Sequence, residues 1–270
     1  MTKTNILQAV LLSANMLFLS FCAEPFFTTQ VNAQQQEPQP VAKVDSSKFS
    51  LRVDAGAVWQ KYNDLAIPGD EGTRFDLAEL EGGAFPFYRI EGNYDFAENQ
   101  RLRILYAPLT LQLEGEFEKE VKYNGKTFRA GEKTKGSYRF NSYRMSWAYK
   151  VSEGTKHKWH LGFTGKVRDA ETSLEQDSVK SNYTNVGFVP LAHIAFEYRI
   201  NDQMRLLCDL DAAAAPQGRA EDLGVLLMYN FIPNWESGGG LRLLEGGADN
   251  EKVYSFAWLN YAFLSVAYVN

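Results

Sequence analysis

Val253–Asn270 reads VYSFAWLNYAFLSVAYVN. The stretch is rich in aromatics, carries no charged side chain and runs to the last residue of the sequence. A water-facing surface rarely has this composition. A closed transmembrane barrel often ends so, because its last strand must pair with its first and also face lipid. Alternation within the stretch is imperfect. Phe256, Trp258, Leu264 and Val266 share one face with Asn260, while Leu259, Tyr261 and Phe263 fill the other. Either a bulge shifts the register midway, or the strand packs apolar groups on both sides.

Working outward, the same period of two recurs along the chain. Phe49, Leu51, Val53, Ala55 and Trp59 alternate with Ser50, Arg52, Asp54 and Gln60. Tyr143, Met145, Trp147 and Tyr149 alternate with Ser142, Arg144, Ser146 and Ala148. Period two with one apolar face is the signature of a half-buried strand. About ten such segments are read between residues 49 and 268, with eight or twelve as the other even counts. Short connections fall near 97–100, 152–156, 201–203 and 233–234. Longer polar ones fall near 63–83, 112–137, 169–184, 214–221 and 245–252. Phe117, Val121 and Phe128, around the Asn124-Gly125 turn signal, predict a hairpin that continues beyond the barrel wall. Tyr94, Tyr149, Trp159, Tyr198, Tyr229, Phe231, Trp235 and Tyr268 cluster beside the short turns and read as one aromatic girdle.

Composition bounds the rest. A 270-residue chain of net charge -5 without a basic block does not look like a nucleic-acid binder. Residues 1–33 read as a signal peptide. Lys3 supplies its charge, Ile6–Phe21 its apolar core and Val31-Asn32-Ala33 its small-x-small cleavage site. Lipidation at Cys22 is the competing reading, disfavoured by bulky Phe21 before it. Residues 34–47 (QQQEPQPVAKVDSS) read as a flexible leader and 48–270 as the barrel domain. Cleavage after Ala33 leaves Cys208 as the single cysteine, so no intramolecular disulfide is expected. His157 and His160 match neither a helical zinc pair nor one strand face, so no metal is expected, nor any cofactor.

The export signal, the alternating segments and the end LNYAFLSVAYVN resemble the small outer-membrane β-barrel superfamily of Gram-negative-type bacteria. The resemblance spans essentially the whole mature chain, although such barrels commonly end on Phe and this one ends Tyr268-Val269-Asn270. It implies an all-β, closed antiparallel transmembrane barrel in the outer membrane. Its implied partners are membrane lipid, lipopolysaccharide and the barrel-assembly machinery. Arg139 or Arg144 could meet lipopolysaccharide phosphates at an outer rim.

In such a barrel the polar faces line the lumen. Arg52, Asp54, Arg89, Glu91, Arg103, Arg144, His193, Glu197, Arg205 and Asp209 are the candidate lumen network. Both signs are present in near balance, so mutual pairing into a plug is preferred over a narrow pore. His193 could serve a membrane-embedded enzyme acting on lipid A or peptide if a carboxylate such as Asp209 and a hydroxyl such as Ser142 or Ser146 stood beside it. Gly238-Gly239-Gly240 lacks the Lys and helix of a phosphate loop. The preferred function is a non-enzymatic membrane barrel, whether structural, channel-forming or interacting through its loops. The alternatives are the barrel enzyme and a soluble, lipocalin-like periplasmic binder with apolar residues inside.

Overall fold

The computed structural model describes residues 49–80 and 82–270. The signal peptide assigned to 1–33 and the leader assigned to 34–47 lie outside the described residues. In chain order the strands are β1 (Phe49–Ala66), β2 (Phe75–Asp76), β3 (Phe85–Ala97), β4 (Gln100–Ala107), β5 (Thr110–Glu116), β6 (Val121–Tyr123) and β7 (Lys126–Phe128). They continue as β8 (Lys133–Glu153), β9 (His157–Gln176), β10 (Val179–Arg199), β11 (Met204–Ala215), β12 (Gly218–Ile232), β13 (Trp235–Asn250) and β14 (Val253–Val269).

One antiparallel sheet runs β14-β13-β12-β11-β10-β9-β8-β4-β3-β1, and β14 pairs back onto β1 to close it. The closing register runs from Ser50↔Val269 to Ala66↔Tyr254. Phe49 and Asn270 complete it by exchanging backbone bonds of 3.3 and 2.9 Å. The barrel therefore has ten staves, with β5 carrying the β4 stave onward along β8. The break between β4 and β5 falls at Pro108, which has no N–H to give the ladder. Across it, Phe140 N donates to Leu109 O.

The alternation read from sequence is real. Arg52, Asp54 and Val58 of β1 are buried in the interior, whereas Leu51, Val53 and Trp59 point out. The outward face carries the most exposed apolar side chains, including Leu264 (75%), Phe163 (70%) and Phe188 (70%). A lipocalin-like binder would have the opposite arrangement. Outward aromatics ring the end with the short turns: Trp235 meets Tyr268 at 5.4 Å and Trp159 meets Phe196 at 4.4 Å between ring centroids. Further outward rings lie nearer the other end, where Tyr106 stacks on Tyr143 and meets Tyr88 edge-on.

The two-sided character of β14 is resolved. Leu259, Tyr261 and Phe263 are buried inside, and Phe87 packs against both rings at 4.8 and 6.1 Å. The register irregularity lies on its partner, between Gln60 and Tyr62 of β1.

Three stretches expected to be loops are mostly strand. β9 and β10 continue to a turn at Asp177-Ser178, β11 and β12 to one at Pro216-Gln217, and β13 and β14 to one at Glu251-Lys252. A membrane crossing needs about 9–11 residues per strand, whereas β8, β9 and β10 have 21, 20 and 21. Their surplus carries the wall well past any bilayer. There the pattern inverts: Leu111, Leu113, Tyr138 and Leu174 are buried within, while Glu114, Lys133, Lys135 and Glu175 face out. A charged outer face over an apolar inner one is the arrangement that suits water outside the wall.

The predicted hairpin at Asn124-Gly125 forms, with φ of 45° and 75° as its tight turn requires. It does not extend the wall. β6 and β7 make a separate two-stranded sheet, and Phe117, Val121, Tyr123 and Phe128 are buried. This cap packs on the β1–β3 connection, where Asp76 caps a single 3-10 turn (Leu77–Glu79). Phe75 meets Phe117 at 5.2 Å and Tyr123 at 5.9 Å. Tyr123 Oη donates to Thr172 O at 2.9 Å, tying the cap to β9.

Burial pushes the Tyr123 phenol above its ordinary value. A raised acid contributes stability that is complete below the unfolded value of about 10 and fades as pH rises past it. Cleavage within 117–132 by an alkaline protease should therefore climb from about pH 10 upward, measured by mass spectrometry. Tyr123→Phe should remove that pH step; an equal step in both proteins would show that another group controls the cap.

Candidate functional site: the charged interior

All ten side chains named from sequence as lumen candidates lie on the inner faces of their strands, and they fall into two groups. The larger joins Arg52, Asp54, Arg89, Glu91, Arg103, Arg144, His193 and Asp209 through three further residues, Asp211, Asp222 and Arg242. Arg52 contacts Asp54 and Glu91 at 3.1 and 3.2 Å. Arg103 reaches from Glu91 at 2.9 Å to Asp211 at 3.1 Å. Arg144 reaches Asp211 at 2.7 Å and Asp222 at 2.5 Å. Arg242 joins Asp222 at 2.5 Å to Asp209 at 2.8 Å. Arg89 approaches Asp222 at 3.5 Å.

These links cross the lumen. Arg103 is on β4 and Asp211 on β11; Arg144 is on β8 and Asp222 on β12. Neither pair of strands is adjacent in the sheet. Asp211 is the hub, because its Oδ1 also accepts from Thr164 Oγ1 at 2.9 Å and faces His193 Nδ1 at 2.7 Å. Carboxylates shared among guanidinium groups form short, directional, charge-assisted bonds. Room for the crossing comes from Gly224, where a Cβ would stand 2.4 Å from Arg242 Nη2.

The second group sits nearer the short turns. Arg101 holds Asp95 at 2.6 Å and Glu197 at 2.8 Å, and Arg205 holds Glu197 at 3.2 Å and Glu236 at 2.6 Å.

The catalytic arrangement imagined for His193 takes a different form. Its carboxylate is Asp211, not Asp209. Ser142 accepts from Arg144 Nε at 3.0 Å, and Ser146 pairs with Thr164 at 2.6 Å. His193 is 3% exposed. Arg144 is 3% exposed inside the lumen, so it cannot meet lipopolysaccharide; Arg139 is occupied by Asp169 and Glu171. Among the described residues no cluster of potential metal ligands forms.

Beyond the ten, the network takes in Asp211, which shares the inner parity of Asp209, and also Asp222, Arg242, Glu236 and Arg101. The signal for the last four was present too: Arg101 shares the inner parity of Arg103 and Leu105 on β4. Asp222 shares the inner parity of Gly224, Leu226 and Met228, and Glu236 shares that of Gly238, Gly240 and Arg242.

Removing one partner of a buried pair leaves charge uncompensated, at a cost of about 3–5 kcal/mol. Asp211 and Asp222 keep other partners, so Arg144→Met should fall near the lower end of that range. Asp222→Asn also strips Arg89 and Arg242 of a partner, so the double variant should lose less than the sum of the two single losses if the pair is coupled as drawn. Urea unfolding in detergent micelles, followed by gel mobility, measures both.

No protein-family model matches the sequence, and no curated protein matches it either. Solved structures do. The outer membrane protease OmpT from Escherichia coli aligns with a TM-score of 0.53 at 8% identity, over 82% of this chain and 96% of that one. The translocator domain of the autotransporter NalP from Neisseria meningitidis aligns at 0.38 and 12% identity, over 83% and 90%. Ail, the attachment invasion locus protein of Yersinia pestis, in complex with the heparin analogue sucrose octasulfate, aligns at 0.37 and 8% identity, over 81% and 99%. At such identities the likeness is one of fold. With its ten closed antiparallel staves, charged interior and apolar exterior, the chain has the fold of the small outer-membrane β-barrel proteins.

Proposed function

We propose that this chain is exported to the outer membrane and stands there as a plugged, non-enzymatic barrel working through its capped end. The short-turn end then faces the periplasm and the capped end faces outward, as in barrels whose turns are short on the periplasmic side. The apolar exterior and the aromatic ring beside the short turns support that placement. Lipid and lipopolysaccharide are its surroundings, and the barrel-assembly machinery is the partner that such insertion requires.

One observation carries the plugged reading: the β4–β11 and β8–β12 ion pairs join opposite walls across the lumen. A conducting lumen needs mobile water and uncommitted charge along its length. Here each carboxylate of the central group is held by at least one arginine, and the cap buries Phe117, Tyr123 and Phe128 above it. The surplus strand length, with its own apolar core, puts most of the protein's distinctive surface outside the membrane.

Refolded protein in a planar lipid bilayer is expected to show no steady conductance. Arg144→Ser combined with Arg242→Ser and deletion of 117–132 is expected to show conductance steps. Steady ohmic conductance from the unaltered protein would overturn the plugged reading. Fractionation that leaves the protein soluble without detergent would overturn its placement in the membrane.

A further inference from the structure

A cleft of about 240 Å³ lies inside the wall between the plug and the cap. One side is β8, β9 and β10; the other is the β13–β14 hairpin and the end of β1. Tyr138, Phe140 and Tyr183 give it aromatic walls. It lies at the height where β10 has lost a neighbour. β10 pairs with β11 only from Ala192 to Arg199, so its upper part, which carries Tyr183 and Asn185, has β9 as its one strand partner, while Asn124 of the cap bonds Asn182 O at 2.9 Å. The cleft is thus bordered by a strand edge that β11 leaves uncovered.

Its charge is one-sided. Arg168 lines it, with Nη2 donating to Asn185 Oδ1 at 2.6 Å and a buried Nε that has no hydrogen-bond partner. Lys252 stands on the lining too. Lys166 is not on the lining but stands against one of its walls, 5% exposed, with its Nζ 4.8 Å from the centre of the Phe140 ring. Among the described residues Lys166 forms no ion pair. The nearby carboxylates Asp211 and Asp222 are held by Arg103, Arg144 and Arg242. The only carboxylate on the described lining, Glu171, is bonded to Arg139 at 3.0 Å. A buried amine with no direct carboxylate partner is costly to charge, and a cation–π contact offsets only part of that cost.

We propose that this cleft binds a small amphipathic carboxylate. Arg168 holds the carboxylate, Lys166 behind the Phe140 ring adds positive charge, and Tyr138, Phe140 and Tyr183 hold a flat apolar body. The volume is below the roughly 300–1,000 Å³ of drug-sized sites, which limits the body to about one or two fused rings or a short chain. The inference does not depend on whether the barrel conducts, since it rests on the cleft and its uncompensated cations.

Isothermal titration of the full mature chain in lipid nanodiscs, against empty nanodiscs, tests it with sodium 2-naphthoate and the neutral 2-naphthamide. Saturable naphthoate binding is expected, at least tenfold tighter than binding of the amide. Lys166→Met should weaken naphthoate at least tenfold and leave the amide unchanged. Ala170→Trp, which fills the cleft from β9, should abolish both. Should Lys166→Met fail to reach the compact, heat-modifiable form, Arg168→Gln gives the same comparison with at least as large an expected loss. Absence of saturable binding at millimolar naphthoate, equal affinity for acid and amide, or undiminished binding by Ala170→Trp would each overturn the proposal.

Discussion

Everything in this molecule depends on the pairing of β1 with β14. In hydrocarbon a strand with an unpaired edge leaves a row of N–H and C=O groups without partners, each costing several kcal/mol. Sixteen register partners, from Ser50↔Val269 to Ala66↔Tyr254, remove that edge. Closure then divides every strand into an outer and an inner face. With ten staves the enclosed space is narrow enough for side chains of opposite walls to touch.

The interior follows from that narrowness. Arginines and carboxylates brought within reach of each other cannot stay singly hydrated, so they must share donors and acceptors. Asp211 shows the solution, with Arg103, Arg144, Thr164 and His193 converging on one carboxylate. Beside this polar knot, Phe87, Tyr261 and Phe263 fill the wall with edge-to-face rings. Such a network is better understood as specifying which walls face each other than as a large source of stability, because desolvation offsets much of the attraction.

The far end obeys a different solvent. In the zone of Phe163, Phe188 and Leu264 the medium outside favours apolar groups. Above it the outer medium is water, and the same strands hide Leu111, Leu113 and Leu174 within. The cap completes that second core by laying Phe117, Tyr123 and Phe128 over it. The strands therefore have two hydrophobic patterns of opposite sense on one continuous backbone.

That inversion explains where sequence reading stopped. A rule that takes the apolar parity as outward works through Val167 and Phe188, then reads Asp169–Asn182 as a polar loop, because Ser173, Glu175 and Lys180 no longer face lipid. The period of two, the even rhythm of turns and the aromatic residues beside them are local properties. A chain reveals these without folding, so the closed barrel and the inward parity of Arg52, Glu91, Arg103 and Arg144 were legible. Which carboxylate answers which arginine was not. Arg144 and Asp222 stand 78 positions apart on strands that are not neighbours in the sheet. Only closure brings them to 2.5 Å. Val253–Asn270 marks the same division. Its composition was enough to make it a closing strand, but the inward turn of Tyr261 and Phe263 was decided by Phe87 on another stave. Periodicity is written into the chain residue by residue, whereas cross-lumen contact is a property of the closed cylinder.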